Sequence, residues 1–196
     1  MKVGTDRIRE IVLSLRNFSR LDEKGLKTVD LHMGIDSTLL ILQNRLKAHR
    51  DIKTGKVDPA ITIVKTYGEL SPVQCYPGQL NQVFMNIFNN AIDALRNPEL
   101  SLSEEISHSI RIDTDNIEYD RRPWIRIRVS DNGTGIPEAI QDKIFNPFFT
   151  TKPVGEGQGL GLAISYKIIT ERHGGRFYCR SKLGEGSQFI LELPTN

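Results

Sequence analysis

The sequence predicts one α/β domain preceded by a helical segment. Short strand-like stretches flanked by Gly and Pro alternate with longer amphipathic helical patterns along most of the chain. The 196 residues, 38% of them hydrophobic, are enough for one packed core. The longest apolar stretches, such as residues 39–42, are too short to span a bilayer, and the N-terminus lacks a signal-peptide pattern. We therefore expect a cytoplasmic segment that makes no contact with a membrane.

Charge and cysteine content argue against several kinds of partner. The formal net charge is +2, and the basic and acidic residues are spread along the chain with no Lys/Arg block that would follow a phosphate backbone. Nucleic acid is therefore not an expected partner. Cys75 and Cys179 lack the paired spacing of metal ligands, so we expect neither a disulfide nor a structural zinc ion.

The first 24 residues contain a helical pattern. Apolar residues recur three and four positions apart, as in a coiled coil or a helix bundle, at Ile8, Ile11, Leu15 and Phe18. This pattern predicts a helix over residues 5–21, and the stretch 21–25 predicts a boundary before the main domain. An amphipathic helix packed on its own domain has the same pattern, so both interpretations stay open.

The rest of the chain predicts a sheet with helices. A helix over residues 36–49 places Leu39, Leu42 and Leu46 on one face. Strands are predicted over 61–64, 73–76, 111–113, 125–129, 176–179 and 188–193, and further helices over 78–96 and 160–173. The last helix is expected to stop at the two glycines 174 and 175.

The helix predicted over residues 78–96 has an apolar and a polar face. At about 100° per residue, one side collects Leu80, Phe84, Ile87, Phe88, Ala91 and Leu95, and the other Gln82, Asn86, Asn90 and Asp93. Asn is a mediocre helix former, so three of them at 86, 89 and 90 indicate a polar task. A carboxamide oxygen suits Mg²⁺ when phosphates and waters complete its coordination. A merely solvated stripe is the alternative.

Two glycine motifs follow. Residues 131–137, Asp-Asn-Gly-Thr-Gly-Ile-Pro, come directly after a predicted strand, where the carboxylate is able to accept a hydrogen bond from an amine such as that of adenine. The same residues are good tight-turn formers. In residues 155–162, glycines alternate with other residues directly before a predicted helix. Such a helix start offers free backbone N–H groups to phosphates. A flexible linker is the alternative interpretation of this segment. The glycine spacing matches neither the dinucleotide G-x-G-x-x-G motif nor a P-loop. Between the motifs lies the aromatic stretch 145–152. Its aromatic residues are able to anchor a loop that otherwise moves over a bound nucleotide.

In this order the motifs resemble the GHKL (Bergerat) nucleotide-binding fold, and within it the sensor histidine kinases of two-component systems. Residues 86–91 resemble the N box of that family, 131–136 its first glycine box, 145–152 its F box and 157–162 its second glycine box. Residues 173–175 and 184–189 resemble the closing segment, with Ser187 where Thr is usual. Residues 7–23 resemble the second helix of the dimerisation and phosphoacceptor bundle, whose first helix has no counterpart in this sequence. None of the four histidines lies in the family's phosphoacceptor context; they are His32, His49, His108 and His173. We interpret His173 as a helix-end residue.

The resemblance implies an α/β (α+β) two-layer sandwich with a mixed sheet over residues 25–196, preceded by one long bundle helix in residues 1–24. It implies that Asn90 holds Mg²⁺ with help from Asn86, that Asp131 recognises the adenine amino group, and that Gly133, Gly135 and Ile136 line the base. A lid over 137–157 would cover the phosphates. The nucleotide-site residues implied in this way are Asn86, Asn90, Asp93, Asp131, Gly133, Gly135, Ile136, Lys143, Thr151, Lys152, Gly157, Gly159, Leu160, Gly161, Leu162 and Ser187, of which Asn86, Asn90 and Lys152 are expected to be catalytic.

The implied activity is transfer of the γ-phosphate of ATP to a histidine on the bundle, in a homodimeric parent kinase that acts on a response regulator. Such a transfer needs mainly positioning and charge neutralisation. The main alternative is a GHKL ATPase, which carries a general-base Glu four residues before its metal-binding Asn. Asn86 occupies that position here and is unable to accept a proton. A nucleotide-binding module without catalysis is the third possibility, against which the complete set of lid residues argues.

Overall fold

The computed structural model describes residues 25–50, 57–97, 107–152 and 157–195. Its helices are α1 (Leu31–Ile41), α2 (Gln43–Leu46), α3 (Pro77–Leu95), α4 (Glu138–Gln141) and α5 (Gly161–Lys167), which continues as a π-helical segment (Ile168–Arg172). Its strands are β1 (Lys27–Val29), β2 (His49–Arg50), β3 (Val57–Asp58), β4 (Thr62–Tyr67), β5 (Val73–Cys75), β6 (Ser109–Tyr119), β7 (Arg122–Asp131), β8 (Arg176–Lys182) and β9 (Gly186–Pro194). The helix predicted within residues 1–24 lies outside the described residues.

The main sheet has five strands in the order β4-β6-β7-β9-β8. The pair β4–β6 is parallel and the other three pairs are antiparallel, so the sheet is mixed as expected. Two small antiparallel pairs, β1–β5 and β2–β3, lie outside this sheet. Helix α3 packs on β7 and β9 and is flanked by α1 and α5. The arrangement is the predicted two-layer sandwich, with α3 at its centre.

Alternation along the strands and one face of α3 build the core between the layers. On β7 the buried residues Ile125, Ile127 and Val129 alternate with the partly exposed Arg126 and Arg128. The predicted apolar face of α3 is at most 1% exposed at Leu80, Phe84, Ile87, Phe88, Ala91 and Leu95. Burying each of the larger side chains stabilises the fold by about 1.5–3 kcal/mol. The opposite face of α3 is thereby turned away from the sheet.

The predicted helix over residues 36–49 is wrong at both ends. Helix α1 begins at Leu31, because the Asp30 carboxylate accepts a hydrogen bond from the His32 N–H at 2.9 Å and caps the first turn. It ends before Leu42, and residues 49–50 form a strand instead of a last helical turn. Strand β6 has eleven residues where the sequence predicted three. Strands β1, β2 and β3 and helix α4 were not predicted.

The predicted helix over residues 160–173 corresponds to α5 and the π-helical segment. The widened turn ends at His173, whose Nδ1–H donates to the Ile168 carbonyl at 2.8 Å while Nε2 accepts from the Tyr76 N–H at 3.0 Å. Tyr76 is the residue that precedes α3, so this imidazole joins the ends of two helices. Burial lowers the pKa of His173, which favours the neutral ring that both bonds require. The structure therefore agrees with its interpretation as a helix-end residue.

No helix in the described part of the chain is long and apolar enough to cross a membrane.

Candidate functional site

Asn86 joins the polar face of α3 to the start of α5. Its Nδ2 donates to the Gly161 carbonyl at 2.9 Å and to the Ser165 hydroxyl, which is fully buried, at 3.0 Å. A Cβ atom at position 161 would lie 3.3 Å from Asn86 Cγ, so glycine permits this close approach. Because the amide nitrogen is used inside the protein, the oxygen of Asn86 is the atom left to face a ligand.

Asn90 lies one helical turn further along the same face and is partly buried. Within the described ranges no side chain or backbone group forms a hydrogen bond with its amide. Its carboxamide therefore has donor and acceptor capacity to offer.

Asp93 takes part in a cluster of charges at the next turn of α3. One carboxylate oxygen accepts from Arg45 Nη2 at 2.6 Å, and the other pairs with the Lys152 ammonium. Arg45 Nη1 also donates to the Asn89 amide oxygen. Since Asn86, Asn89 and Asp93 all have defined partners, the alternative of a merely solvated stripe does not describe this face.

Asp131 is a buried carboxylate at the end of β7. It is 7% exposed, its Oδ1 accepts from the Gly133 N–H at 2.9 Å, and it lies opposite Ser187 of β9. Burial raises the pKa of Asp131 to about 6, although backbone N–H groups of Gly133 and Ser187 act in the opposite direction. A carboxylate held in this way is a strong acceptor for a ligand N–H group.

The residues after Asp131 bring the strand end close to α3. A Cβ atom on Gly133 would lie 2.9 Å from the Ala94 Cβ, so glycine is needed where the two elements touch. Asn132 turns the other way: its Oδ1 accepts from the Ser109 N–H and its Nδ2 donates to the Ser107 carbonyl, both at 2.8 Å. The backbone bends at Gly133 and Thr134, and Gly133 meets the helix that carries Asn86 and Asn90.

The far end of the first glycine motif is held by the β8–β9 hairpin. The Ile136 N–H donates to the Ser181 hydroxyl at 2.8 Å, and Gln141 Nε2 donates to the Ile136 carbonyl at 2.9 Å. The Ser181 and Ser187 hydroxyl oxygens lie 3.1 Å apart. Gly135, with φ of 70°, passes so near Lys182 that a Cβ atom would lie 2.1 Å from its carbonyl oxygen. The predicted lid over 137–157 therefore begins with a fixed backbone and contains the short helix α4.

The second glycine motif packs on the aromatic segment. The Phe148 N–H donates to the Gly159 carbonyl at 2.9 Å. Gly159 has φ of 65°, and a Cβ atom there would lie 2.4 Å from the Phe148 carbonyl carbon. A Cβ atom on Gly157 would lie 2.8 Å from the Thr150 hydroxyl. The flexible-linker alternative is therefore wrong for residues 157–161.

The remaining predicted site residues differ in how closely they contact the rest of the protein. Leu160 precedes α5, and the partly buried Leu162 packs against the core. The side chains of Lys143 and Thr151 are exposed, and among the described residues neither forms a hydrogen bond or an ion pair. The structure therefore does not connect these two with the group around Asp93 and Asn86.

Arg45 contacts two residues of the site face of α3 and was not predicted from the sequence. Its partners Asn89 and Asp93 are 44 and 48 positions away in the chain, so no local spacing marks it.

A mixed sheet, one Asn-bearing helix across it, a buried Asp at a strand end and two glycine motifs beside that helix define a Bergerat-type nucleotide-binding domain. Residues 75–196 match the family model described as histidine kinase-, DNA gyrase B- and HSP90-like ATPase. The chain belongs to this family.

Several similar curated proteins are named as sensor kinases. Sensor kinase CckA of Brucella abortus (strain 2308) is 36% identical over 198 residues, which are 99% of this chain and 20% of that protein. Sensor histidine kinase ZraS of Escherichia coli (strain K12) is 32% identical over 197 residues, 100% of this chain and 37% of that protein. The chain thus spans about a fifth and about two fifths of these two relatives.

Among solved structures, a nucleotide-free catalytic domain of histidine kinase ThkA superimposes with a TM-score of 0.66. It is 26% identical, and the match covers 88% of this chain and 97% of that chain. The chain is therefore homologous to histidine kinase catalytic ATPase domains.

Proposed function

We propose that this chain is the ATP-binding catalytic part of a two-component sensor histidine kinase, and that it transfers the γ-phosphate of ATP to a histidine on a helix bundle. ATP binding follows from the family. The acceptor histidine would belong to another part of the kinase, because none of the four histidines of this sequence lies in a phosphoacceptor context.

The side-chain amide of Asn86 is the observation that favours phosphoryl transfer over ATP hydrolysis. A GHKL ATPase needs a carboxylate at this position to take a proton from water. Here the group is a carboxamide whose nitrogen is bound to Gly161 and Ser165. It is neither a base nor free to turn, so an attacking water would receive no help. An incoming imidazole supplies its own nucleophilic nitrogen and needs chiefly to be aligned.

The donor set of this face suits Mg²⁺ bound together with a nucleotide. The oxygens of Asn86 and Asn90 are neutral, hard ligands on neighbouring turns of α3, and the described residues contain no cluster of three His, Cys, Asp or Glu side chains that would hold a cation unaided. Asn90 would be the metal ligand, with Asn86 beside it. When bound, Mg²⁺ neutralises charge on the phosphates.

The other roles follow from position and chemistry. Asp131 would accept from the exocyclic amine of adenine, with Gly133, Gly135 and Ile136 along the base. Lys152 would meet the phosphates, and Gly159 to Leu162 would offer backbone N–H groups. Direct contacts by Asp93, Lys143, Thr151, Gly157 and Ser187 belong to the same proposal, and among them Asp93 and Ser187 already have protein partners.

Residues 1–24 would form the second helix of the dimerisation and phosphoacceptor bundle, ahead of a catalytic domain over 25–196. Relatives include a protein named two-component sensor PprA of Pseudomonas aeruginosa, 32% identical over 189 residues. We propose further that the parent protein is a homodimer and that a response regulator receives its phosphoryl group. Use of ATP and two free thiols fit a cytoplasmic location.

The test is phosphoryl transfer in trans. The chain is mixed with a fragment that carries both helices of the phosphoacceptor bundle and with γ-labelled Mg·ATP, and the product is treated with acid. We expect label on the bundle that is lost in acid, as a phosphohistidine is, and little release of free phosphate. A fragment with its acceptor histidine replaced by Gln is the control and should stay unlabelled.

Rapid phosphate release without an acceptor would instead support an ATPase. Tight binding with neither transfer nor release would support a nucleotide-binding module.

A further inference from the structure

The cluster of Arg45, Asp93 and Lys152 joins three separate parts of the chain beside the candidate site. Arg45 lies on α2, Asp93 on α3, and Lys152 is the last residue of the aromatic segment 145–152. The Asp93 carboxylate pairs with Arg45 at 2.6 Å through one oxygen and with Lys152 through the other. One negative charge is thus shared by two positive charges, and the cluster keeps a surplus of one positive charge.

Arg45 is held in place by more than this ion pair. Its second guanidinium nitrogen donates to the Asn89 amide oxygen, and the Arg96 side chain donates to the Arg45 backbone carbonyl. The side chains of Arg45, Asp93 and Lys152 are 40%, 30% and 36% exposed. A planar guanidinium that reaches two acceptors at once fixes their geometry, which a lysine is unable to do.

The position of Asp93 explains why its negative charge needs to be neutralised. Asp93 lies one turn of α3 after Asn90, on the face proposed to carry the phosphates, so an unpaired carboxylate there would repel them. If Arg45 were absent, Lys152 would be the only cation paired with Asp93. The cluster would then have no net charge, and Lys152 would attract the phosphates less strongly.

We propose that Arg45 is a positioning residue of the nucleotide site: it neutralises Asp93 and orients Asn89 and Asp93, and thereby leaves the Lys152 charge available to the nucleotide phosphates. The inference rests on the proposed function, since it assumes that a nucleotide lies along this face. Arg45 is thus proposed to act through Asp93 and Lys152 and not by contacting the phosphates itself.

The experiment is a double-mutant cycle on Mg·ATP affinity, measured by isothermal titration calorimetry with the chain itself. The variants are Arg45→Ala, Asp93→Asn and the double variant. We expect Arg45→Ala to bind about tenfold more weakly, the size typical of losing one charge-assisted contact. The double variant should bind at least about threefold more tightly than Arg45→Ala, because removing both charges restores the single surplus positive charge. It should stay weaker than the unaltered chain, because the contact proposed for Asp93 itself is lost.

Arg126→Ala is the matched control. Arg126 pairs with Asp115 at the same 2.6 Å, with side chains 30% and 33% exposed, and it lies on strand β7 facing away from the helices. Its loss should change thermal stability about as much as the loss of Arg45 while leaving ATP affinity unchanged. This comparison separates a role at the site from a role in folding.

Two results would overturn the inference while leaving the proposed function intact: unchanged ATP affinity in Arg45→Ala, or a double variant as weak as Arg45→Ala. Absence of Mg·ATP binding by the unaltered chain would overturn the proposed function and this inference with it.

Discussion

At the scale of single residues, the burial of Asp131 disfavours the charged form of its carboxylate. Burial raises its pKa to about 6, so the folded protein binds the proton more tightly than the unfolded chain, where the pKa is 3.8. The contribution of Asp131 to stability is therefore fully present below pH 3.8 and is lost as the pH rises through about 6. At neutral pH the charged form costs stability, as functional residues commonly do.

We therefore predict that Asp131→Asn stabilises the nucleotide-free protein at pH 7.5, by up to about 3 kcal/mol, and that the gain vanishes near pH 4. The measurement is urea unfolding of both proteins at a series of pH values. Taking the difference between the two proteins removes the effect of His173, whose lowered pKa costs stability as the pH falls below 6.5 in both. A gain that stays constant with pH would contradict this account.

The same substitution should weaken the binding of ATP, because the amide of an asparagine is able to turn its own N–H₂ toward the adenine amine and leave two donors facing each other. Competition experiments should show that the unaltered protein prefers ATP to GTP and that Asp131→Asn loses most of that preference. Equal affinity for both nucleotides in the unaltered protein would count against the role of Asp131.

Asn90 gives a third prediction at this scale. Asn90→Ala removes a polar group that faces away from the core, so the fold should be retained while Mg-dependent phosphoryl transfer falls by roughly 3 kcal/mol or more in transition-state energy. Gln82→Ala, an exposed position on the polar side of the same helix, is the control and should behave as the unaltered protein. Transfer and circular dichroism are measured on both. Normal transfer by Asn90→Ala would exclude it as the metal ligand.

At the scale of secondary-structure elements, the sequence predicted those parts whose signals are local. The two faces of α3 follow from a 3.6-residue period, strand β7 from alternating apolar residues, and strand β9 from a nearly continuous apolar run. Strand β1 was missed because three residues, Lys-Thr-Val, form a strand only by pairing with β5, more than forty positions away. The start of α1 was missed because the cap at Asp30 lies before the first regularly spaced leucine.

The site was predictable to the same extent and for the same reason. Asn86, Asn90, Asp131 and the glycines belong to short motifs, so order and spacing indicated them. The neighbours that hold them, such as Ser165 and Arg45, act through contacts between distant segments. A single polar residue in an ordinary helix carries no signal of that kind.

The second glycine motif allows a prediction about an element. Gly159 and Gly174 both have a left-handed backbone, with φ of 65° and 61°, so an alanine at either position costs about 1 kcal/mol in conformational strain. Only at Gly159 does a Cβ atom also collide, 2.4 Å from the Phe148 carbonyl carbon, while at Gly174 nothing lies within 4 Å. Gly159→Ala should therefore lose ATP affinity at least tenfold and Gly174→Ala hardly any. Equal losses would show that backbone conformation alone matters.

At the scale of the whole molecule, the candidate site is assembled from segments that are far apart in sequence. Helix α3, the end of β7, the aromatic segment and the start of α5 each contribute, and the contacts Asn86–Gly161, Asp93–Lys152 and Gly133–Ala94 join them. A ligand that touches all of these segments has its binding geometry only in the folded chain.

Mg·ATP should consequently raise the thermal midpoint of unfolding. A ligand bound only by the folded state stabilises it by RT ln(1 + [L]/Kd), which is about 2.7 kcal/mol at a ligand concentration roughly 100 times Kd. For a domain of this size that amounts to a shift of about 5–11 °C, since 1 kcal/mol moves the midpoint by roughly 2–4 °C. The measurement is differential scanning calorimetry at increasing ATP with and without Mg²⁺. The shift should grow with the logarithm of ATP concentration, should be smaller without Mg²⁺, and should be largely lost in Asn90→Ala but kept in Gln82→Ala. An unchanged midpoint at millimolar Mg·ATP would mean that these segments do not form a nucleotide site.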